Sequence, residues 1–191
     1  MKYKNVKNNK GFTLIETMFA VLILTSAIAS MMSVVANSLF TARYARDETT
    51  VNYLLQEVVD FIRNDRDTTV FLDGSTGDIN TIWNNFYLKY SNCTNNSRGC
   101  YFDVFGDNTP KLCSSGGCPY LYYNKDADTT PFYVSDNVGN PNFVQTSFRR
   151  KIVVVQNPLN PNEINVTVTI DWKNGGLDVS RSLESSFMKW Q

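Results

Sequence analysis

The chain has no histidine. Without imidazole there is no Ser-His-Asp triad, no Cys-His pair and no histidine-ligated metal, so most hydrolase and metalloenzyme mechanisms are excluded at once. Net charge is absent too: 18 Lys+Arg stand against 18 Asp+Glu among 191 residues. With no general excess of positive charge to meet a phosphate backbone, no specific nucleic-acid partner is expected. Charged residues make up only 19 % and hydrophobic ones 42 %, a balance that supports a packed core rather than disorder. The length suits one domain with an appendage and not two full enzyme domains. Serine and aspartate are plentiful, but no paired motif sets a nucleophile beside a base, so no enzyme and no cofactor are expected. Helix breakers are missing over a long reach, since neither proline nor glycine falls between residues 12 and 66.

The zero net charge hides an asymmetry. Lys2, Lys4, Lys7 and Lys10 crowd the first ten residues with no acid among them, and from Gly11 to Ala42 the only ionisable side chain is Glu16. Residues 17 to 36 are twenty uncharged positions rich in Ala, Val, Leu, Ile and Met. Twenty helical residues at about 1.5 Å each span the roughly 30 Å of bilayer hydrocarbon. Arg43 and Arg46 follow the segment, yet the four lysines before it favour an N-terminus in the cytoplasm and everything after about residue 43 outside. A buried core helix is the plainer alternative, and it leaves the lysine leader unexplained.

The boundary between leader and apolar run reads Lys10-Gly11-Phe12-Thr13-Leu14-Ile15-Glu16. It resembles the processing site of type IV pilins and type II secretion pseudopilins, strongly over residues 1 to 40 and only in architecture beyond them. The resemblance implies cleavage between Gly11 and Phe12 by a prepilin peptidase on the cytoplasmic side, followed by N-methylation of the new Phe12 amine. It implies as partners other pilin or pseudopilin subunits and the inner-membrane assembly machinery, with the membrane holding the chain before assembly. Localisation follows: a single-pass inner-membrane protein that passes into an extracytoplasmic filament or pilus. Major subunits of this family commonly carry a proline where Ser33 stands here, a departure that leans toward a minor pilin or pseudopilin.

Glu16 has a physical role in this picture. A carboxylate in an apolar spanning helix costs about 2.5–3.5 kcal/mol on insertion scales when it sits at the centre. Nothing in the apolar segment neutralises it. After cleavage, Phe12 would offer a positive amine four residues earlier, on about the same helix face. The family resemblance implies that a neighbouring subunit's Phe12 amine meets Glu16 during filament assembly. Such a pair sets register more than it adds stability, because desolvation offsets much of the attraction. The plainer reading is an interfacial Glu16 that reaches water or stays protonated.

A rival processing scheme starts from Ala27-Ile28-Ala29, an A-x-A tripeptide at which a secretory signal would be cut to leave Ser30 first. Glu16 argues against it, as does apolar character continuing through Met31, Met32, Val34, Val35, Leu39 and Phe40. The corresponding functional alternative is a secreted or membrane-anchored, disulfide-stabilised binding module that is never built into a filament.

Past the apolar segment, Val51, Leu54, Leu55, Val58, Val59 and Ile62 trace one stripe of a helix, predicting an amphipathic continuation over 43–66. A single helix over 12–66 would be about 80 Å long. Asp73-Gly74-Ser75-Thr76-Gly77-Asp78 is turn chemistry, with Asp78 placed to cap a short second helix over 79–90. Its stripe of Ile79, Ile82, Trp83, Phe86, Tyr87 and Tyr90 reads as core rather than as a ligand surface.

Residues 91–145 read as loops, and they contain all four cysteines: Cys93, Cys100, Cys113 and Cys118. An even count outside the cytoplasm reads as two disulfides, with three pairings possible. The local one, Cys93–Cys100 with Cys113–Cys118, needs least rearrangement. A zinc site would want a C-x2-C knuckle, and the spacings here are C-x6-C and C-x4-C. Asn124, Asp126 and Asp128 alternate as calcium ligands do, but the EF-hand glycine and closing glutamate are missing, so a solvated turn is the simpler reading. Tyr120, Tyr122, Tyr123 and Tyr133 are set to line a face of short strands.

The last third alternates as strands do. Ile164, Val166, Val168, Ile170 and Trp172 interleave with Asn165, Thr167, Thr169 and Asp171. Asn174-Gly175-Gly176 is hairpin chemistry, and Leu177, Val179, Leu183 and Phe187 continue on the return, with Arg181 the one breach. An earlier strand over about 148–156 carries Ile152 and Val154 before Pro158 and Pro161. Arg149-Arg150-Lys151, the only basic triplet in the chain, reads as the flank of that strand. The expected fold class is α+β: a long N-terminal helix, spanning in its first half and amphipathic in its second, packed on an antiparallel sheet over 148–187 in a pilin-like architecture. The expected divisions are a cleaved leader over 1–11, a membrane and filament-core helix over 12–42, and an extracytoplasmic domain over 43–191. The expected function is a structural subunit, a minor pilin or pseudopilin.

Overall fold

The computed structural model describes residues 11–73, 77–125, 132–136, 139 and 141–189. The leader lysines Lys2, Lys4, Lys7 and Lys10, and the pair Asp126 and Asp128, lie outside the described residues. The chain forms two compact units, Met1–Arg46 and Asp47–Gln191.

One helix, α1 (Leu14–Asp73), contributes to both. It starts two residues later than position 12 because Thr13 caps it: the Glu16 amide donates to Thr13 O at 3.1 Å and reaches Thr13 Oγ1 at 3.4 Å. It also runs seven residues beyond the expected end at 66. Charge density there suggests solvent, but charge does not break a helix, and no proline or glycine occurs in the sequence between residues 67 and 73. A short helix α2 (Ile79–Lys89) follows, with the Asp78 carboxylate accepting from the Thr81 amide at 3.3 Å. A 3-10 turn, Ser91–Cys93, leads into the strands.

The stretch 91–145 is not all loop. Among its described residues are four short strands, β1 (Cys100–Tyr101), β2 (Lys111–Leu112), β3 (Tyr120–Asn124) and β4 (Tyr133–Val134). Three of them are only two residues long, too short to leave a readable period. The long strands are β5 (Phe143–Asn157), β6 (Asn160–Asn174) and β7 (Leu177–Met188), the first beginning five residues before 148. All seven join one antiparallel sheet. β6 lies between β5 and β7, and the other edge of β5 is shared, by β3 along residues 143–149 and by β1 at Ile152.

Both long hairpins turn on two residues. Gly175 and Gly176 have φ of 58° and 89°, the doubly left-handed turn that matches strand twist. Pro158 and Leu159 turn between β5 and β6, with Asn157 Oδ1 accepting from the Leu159 amide at 3.0 Å. Pro161 does not end the strand pair. It lies in β6 and uses its carbonyl, which accepts from Trp83 Nε1 at 3.1 Å and Gln156 Nε2 at 2.7 Å.

The core follows the two periodicities. Val51, Leu54, Leu55, Val58, Val59 and Ile62 of α1 are buried, as are Ile152 and Val154 of β5 and Ile164, Val166, Val168, Ile170 and Trp172 of β6. Ile82, Trp83, Phe86 and Tyr90 bury the inner stripe of the second helix and its end, while Ile79 and Tyr87 remain half-buried. Strand β7 is the edge, so its inward residues are less covered. Phe187 is buried, Val179 and Leu183 are half-buried, and Leu177, beside the glycine turn, is 66 % exposed. Arg181, the breach in the period, is explained: its Nε donates to Glu48 Oε1 of α1 at 2.7 Å. The fold is α+β, a long helix with an antiparallel sheet, as pilin-like architecture requires.

Candidate assembly segment

The segment from Gly11 to Thr41 is built to be covered by something other than its own chain. Phe12 is 81 % exposed, and Leu14, Ile15, Phe19, Leu22, Ile23, Leu24, Met31 and Met32 are all exposed. A helix apolar on every face has no preferred side to turn inward, so it is a helix for lipid or for a bundle. α1 is long and apolar enough to cross a membrane by length and composition. Its position near the N-terminus fits a single-pass anchor.

Six hydroxyls of this segment bond back to their own helix. Thr17, Thr25, Ser26 and Ser30 donate to the carbonyls of Leu14, Leu22, Ile23 and Ala27, at 2.8–3.0 Å. Ser38 and Thr41 donate to Val34 and Asn37 at 2.9 and 3.0 Å. Each of these six hydroxyls is satisfied within its own helix, so hydrocarbon or a neighbouring helix can cover it without leaving a donor unpaired.

Glu16 is the one ionisable side chain of the segment. It lies in the first turn of α1, where the helix dipole favours negative charge. Thr13-Leu14-Ile15-Glu16 is a T-x-x-E capping pattern, and half of the box is formed through the bond from the Glu16 amide to Thr13 Oγ1. This pattern was readable in the sequence and makes Thr13 part of the site. It also changes the geometry expected of Phe12. With Thr13 as cap, Phe12 precedes the helix, so it does not share a helical face with Glu16 as an interior i,i+4 pair would. Before cleavage its nitrogen is an uncharged amide, so an ion pair requires the processed chain.

The second unit holds its own helix portion by polar contacts that no periodicity announces. Arg150, 1 % exposed, pairs with Glu57 of α1 at 2.9 Å and donates to Phe102 O at 3.1 Å. Burial raises the Glu57 carboxyl above its ordinary value, and the attraction of Arg150 offsets this only in part. Asp103, also buried, accepts from the Ser135 and Asp136 amides at 2.5 and 3.2 Å. Asp65 accepts from Lys89 at 2.5 Å and Tyr90 Oη at 2.8 Å, and burial with this carboxylate beside it pushes the Tyr90 phenol up. The phenol therefore stays a donor.

Two disulfides fasten the irregular region, Cys93–Cys100 and Cys113–Cys118, with Cα separations of 4.6 Å each. They close loops of sequence separation 7 and 5, and bridges of this kind stabilise chiefly by restricting the unfolded chain. Among the described residues no group of three or more His, Cys, Asp or Glu is placed to hold a metal ion. Between the bridges, Asp107 accepts from Thr109 Oγ1 at 2.5 Å and from the Thr109 amide at 3.0 Å, with Lys111 at 3.0 Å. These contacts, those of Thr109 foremost, hold its carboxyl down to about 2. A carbon-detected NMR titration is expected to place the Asp107 midpoint there. Because the folded value is depressed, the stabilisation Asp107 brings is present above the ordinary 3.8 and is lost as pH falls toward 2. A midpoint near 3.8 would show that the turn is open in solution.

The tyrosines do not line one exposed face. Tyr120, Tyr122, Tyr123 and Tyr133 are half-buried, the Tyr123 and Tyr133 rings meet at a tilt with centroids 5.3 Å apart, and Tyr133 meets Phe148 edge-on at 6.4 Å.

Residues 6–32 match the family model described as prokaryotic N-terminal methylation motif. The chain thus carries the N-terminal motif of type IV pilin-like precursors, and the motif points to a structural subunit rather than an enzyme. No curated protein and no solved structure matches the chain.

Proposed function

We propose that this protein is a minor pilin or pseudopilin, a structural subunit of a type IV pilus or type II secretion-like filament. A prepilin peptidase cuts it between Gly11 and Phe12, and the Phe12 amine is then methylated. The observation that carries this reading is the methylation motif over residues 6–32 leading into a helix whose apolar residues are exposed on all sides. Exposed apolar surface of that extent is stable only in lipid or against other helices, and assembly moves it from one to the other. The four leader lysines support an N-terminus in the cytoplasm, so the disulfide-bearing unit faces the oxidising side. Partners are other pilin or pseudopilin subunits, the peptidase and the inner-membrane assembly machinery.

Cleavage also changes the charge. Removing residues 1–11 takes away four of 18 basic residues and leaves 14 against 18 acidic ones, a net of −4. Intact mass and N-terminal sequencing of membrane-extracted protein test the proposal. A mature chain beginning with methylated Phe12 is expected. A start at Ser30 would favour the secreted binding module, and an intact Met1 would overturn processing altogether.

A further inference from the structure

The triplet Arg149-Arg150-Lys151 is divided by the pleat of β5. Arg150 turns inward to Glu57, and alternation sends Arg149 and Lys151 to the opposite face. There they meet Arg98, carried by the turn before β1. The three line one cavity of about 210 Å³ together with Ser97, Ser114 and Ser115. Among the described residues none of the three enters an ion pair. Arg149 donates from Nη1 to Gly116 O at 3.3 Å and lies 4.0 Å over the Tyr120 ring, while its Nε is buried without a partner.

The cleft is shaped around these side chains. Gly99 has φ of 64°, and a Cβ there would lie 2.6 Å from Lys151 Cγ, so the lysine stem rests where only glycine leaves room. Gly117 holds a left-handed φ of 101° beside Arg149, and a Cβ there would be in ordinary contact with Nη1 at 3.4 Å, so its glycine serves the backbone turn. The Cys93–Cys100 bridge pins the turn bearing Arg98, and Cys113–Cys118 closes the loop bearing the serines. Three cations are thereby gathered and held with one acid, Asp171, among the described lining residues, a local charge of +2. Like charges held together repel, and a dianion relieves that repulsion while guanidinium and ammonium donors bond its oxygens.

We propose that this cleft binds a doubly charged tetrahedral oxyanion of the phosphate class, either the free ion or a phosphate monoester on a larger molecule. Arg98 and Lys151 grip it, Arg149 offers a third donor, and the hydroxyls of Ser97 and Ser115 complete its coordination, that of Ser114 being spent on Gly117 O.

Isothermal titration of the detergent-solubilised full chain, disulfides intact, tests it with sodium phosphate and with glycerol 3-phosphate against sodium chloride at matched ionic strength. Saturable one-to-one binding of phosphate but not chloride is expected. Arg98→Gln and Lys151→Gln should each weaken it about tenfold. Asp171→Asn should tighten it severalfold, which a purely structural role for these residues would not produce, and Lys125→Gln should leave it unchanged. Tighter binding of glycerol phosphate identifies a carried phosphate as the ligand, and equal binding identifies the free ion. No saturable binding, or affinities unmoved by Arg98→Gln and Asp171→Asn, overturns the proposal. Should Lys151→Gln unfold the Gly99 turn, seen by near-ultraviolet circular dichroism, the two surface variants decide alone.

Discussion

Glu57→Ala is expected to destabilise the folded domain by about 3–5 kcal/mol, the range for stripping one partner from a buried ion pair. Arg150 would keep only Phe102 O, and its Nε already lacks a partner. A guanidinium 1 % exposed has no water to turn to. Glu57→Gln separates charge from hydrogen bonding. The amide oxygen still accepts from Arg150, and the glutamine avoids the desolvation that raises the Glu57 carboxyl, so its cost should be within about 1 kcal/mol. The pH dependence has a definite sign. A raised folded value means that the folded state holds its proton above the ordinary 4.5, so the Glu57 contribution is fully present below 4.5 and is lost as pH rises through the folded value. Chemical denaturation across that window should show the wild type losing ground to Glu57→Gln as pH rises. Equal stability of Glu57→Ala and wild type would mean that the pair is open in solution.

Glu16→Ala is expected to leave membrane insertion intact and to cut incorporation into filaments by about tenfold or more, the loss expected when one member of a buried charge pair is removed. Insertion should survive because alanine removes the one charge between Gly11 and Ala42. Assembly should suffer because a neighbour's Phe12 amine would enter the bundle unpaired. The half-formed capping box offers a competing account, in which Glu16 serves only the helix end. A cap and a favourable dipole contact are each worth about 0.3–2 kcal/mol and do not need a neighbour. Glu16→Gln divides the two: glutamine still suits the capping box but has no charge for an amine. Assembly of the glutamine variant at wild-type levels would reduce Glu16 to a cap. Quantitative blotting of sheared filaments against membrane fractions measures both steps.

The legible parts of this protein are those in which one residue's environment repeats at a fixed period. The stripe from Val51 to Ile62, the stripe from Ile82 to Tyr90 and the alternation from Ile164 to Trp172 each bury a face against one large neighbour. A single sheet or helix surface imposes a regular pattern, and the pattern is visible without the partner. The N-terminal methylation motif is legible for a different reason, because it is a run of consecutive residues.

What tertiary structure alone decided lies where the partners are distant in the chain. β1 and β2 pair over two residues and owe their existence to β5, some fifty residues on, so no local period marks them. Arg150 looks like its two basic neighbours, and only the pleat of β5, together with Glu57 placed 93 residues away, sends it inward while they stay out. Arg181 breaks a hydrophobic period that Glu48 makes good from 133 residues away. The absent histidines and the charge balance removed whole classes of chemistry from the sequence alone. The leader, the apolar helix and the β alternation were likewise written in local order. The buried salt bridge and the cationic cleft were not, because electrostatic partners are chosen by distance in space and the chain records only distance along itself.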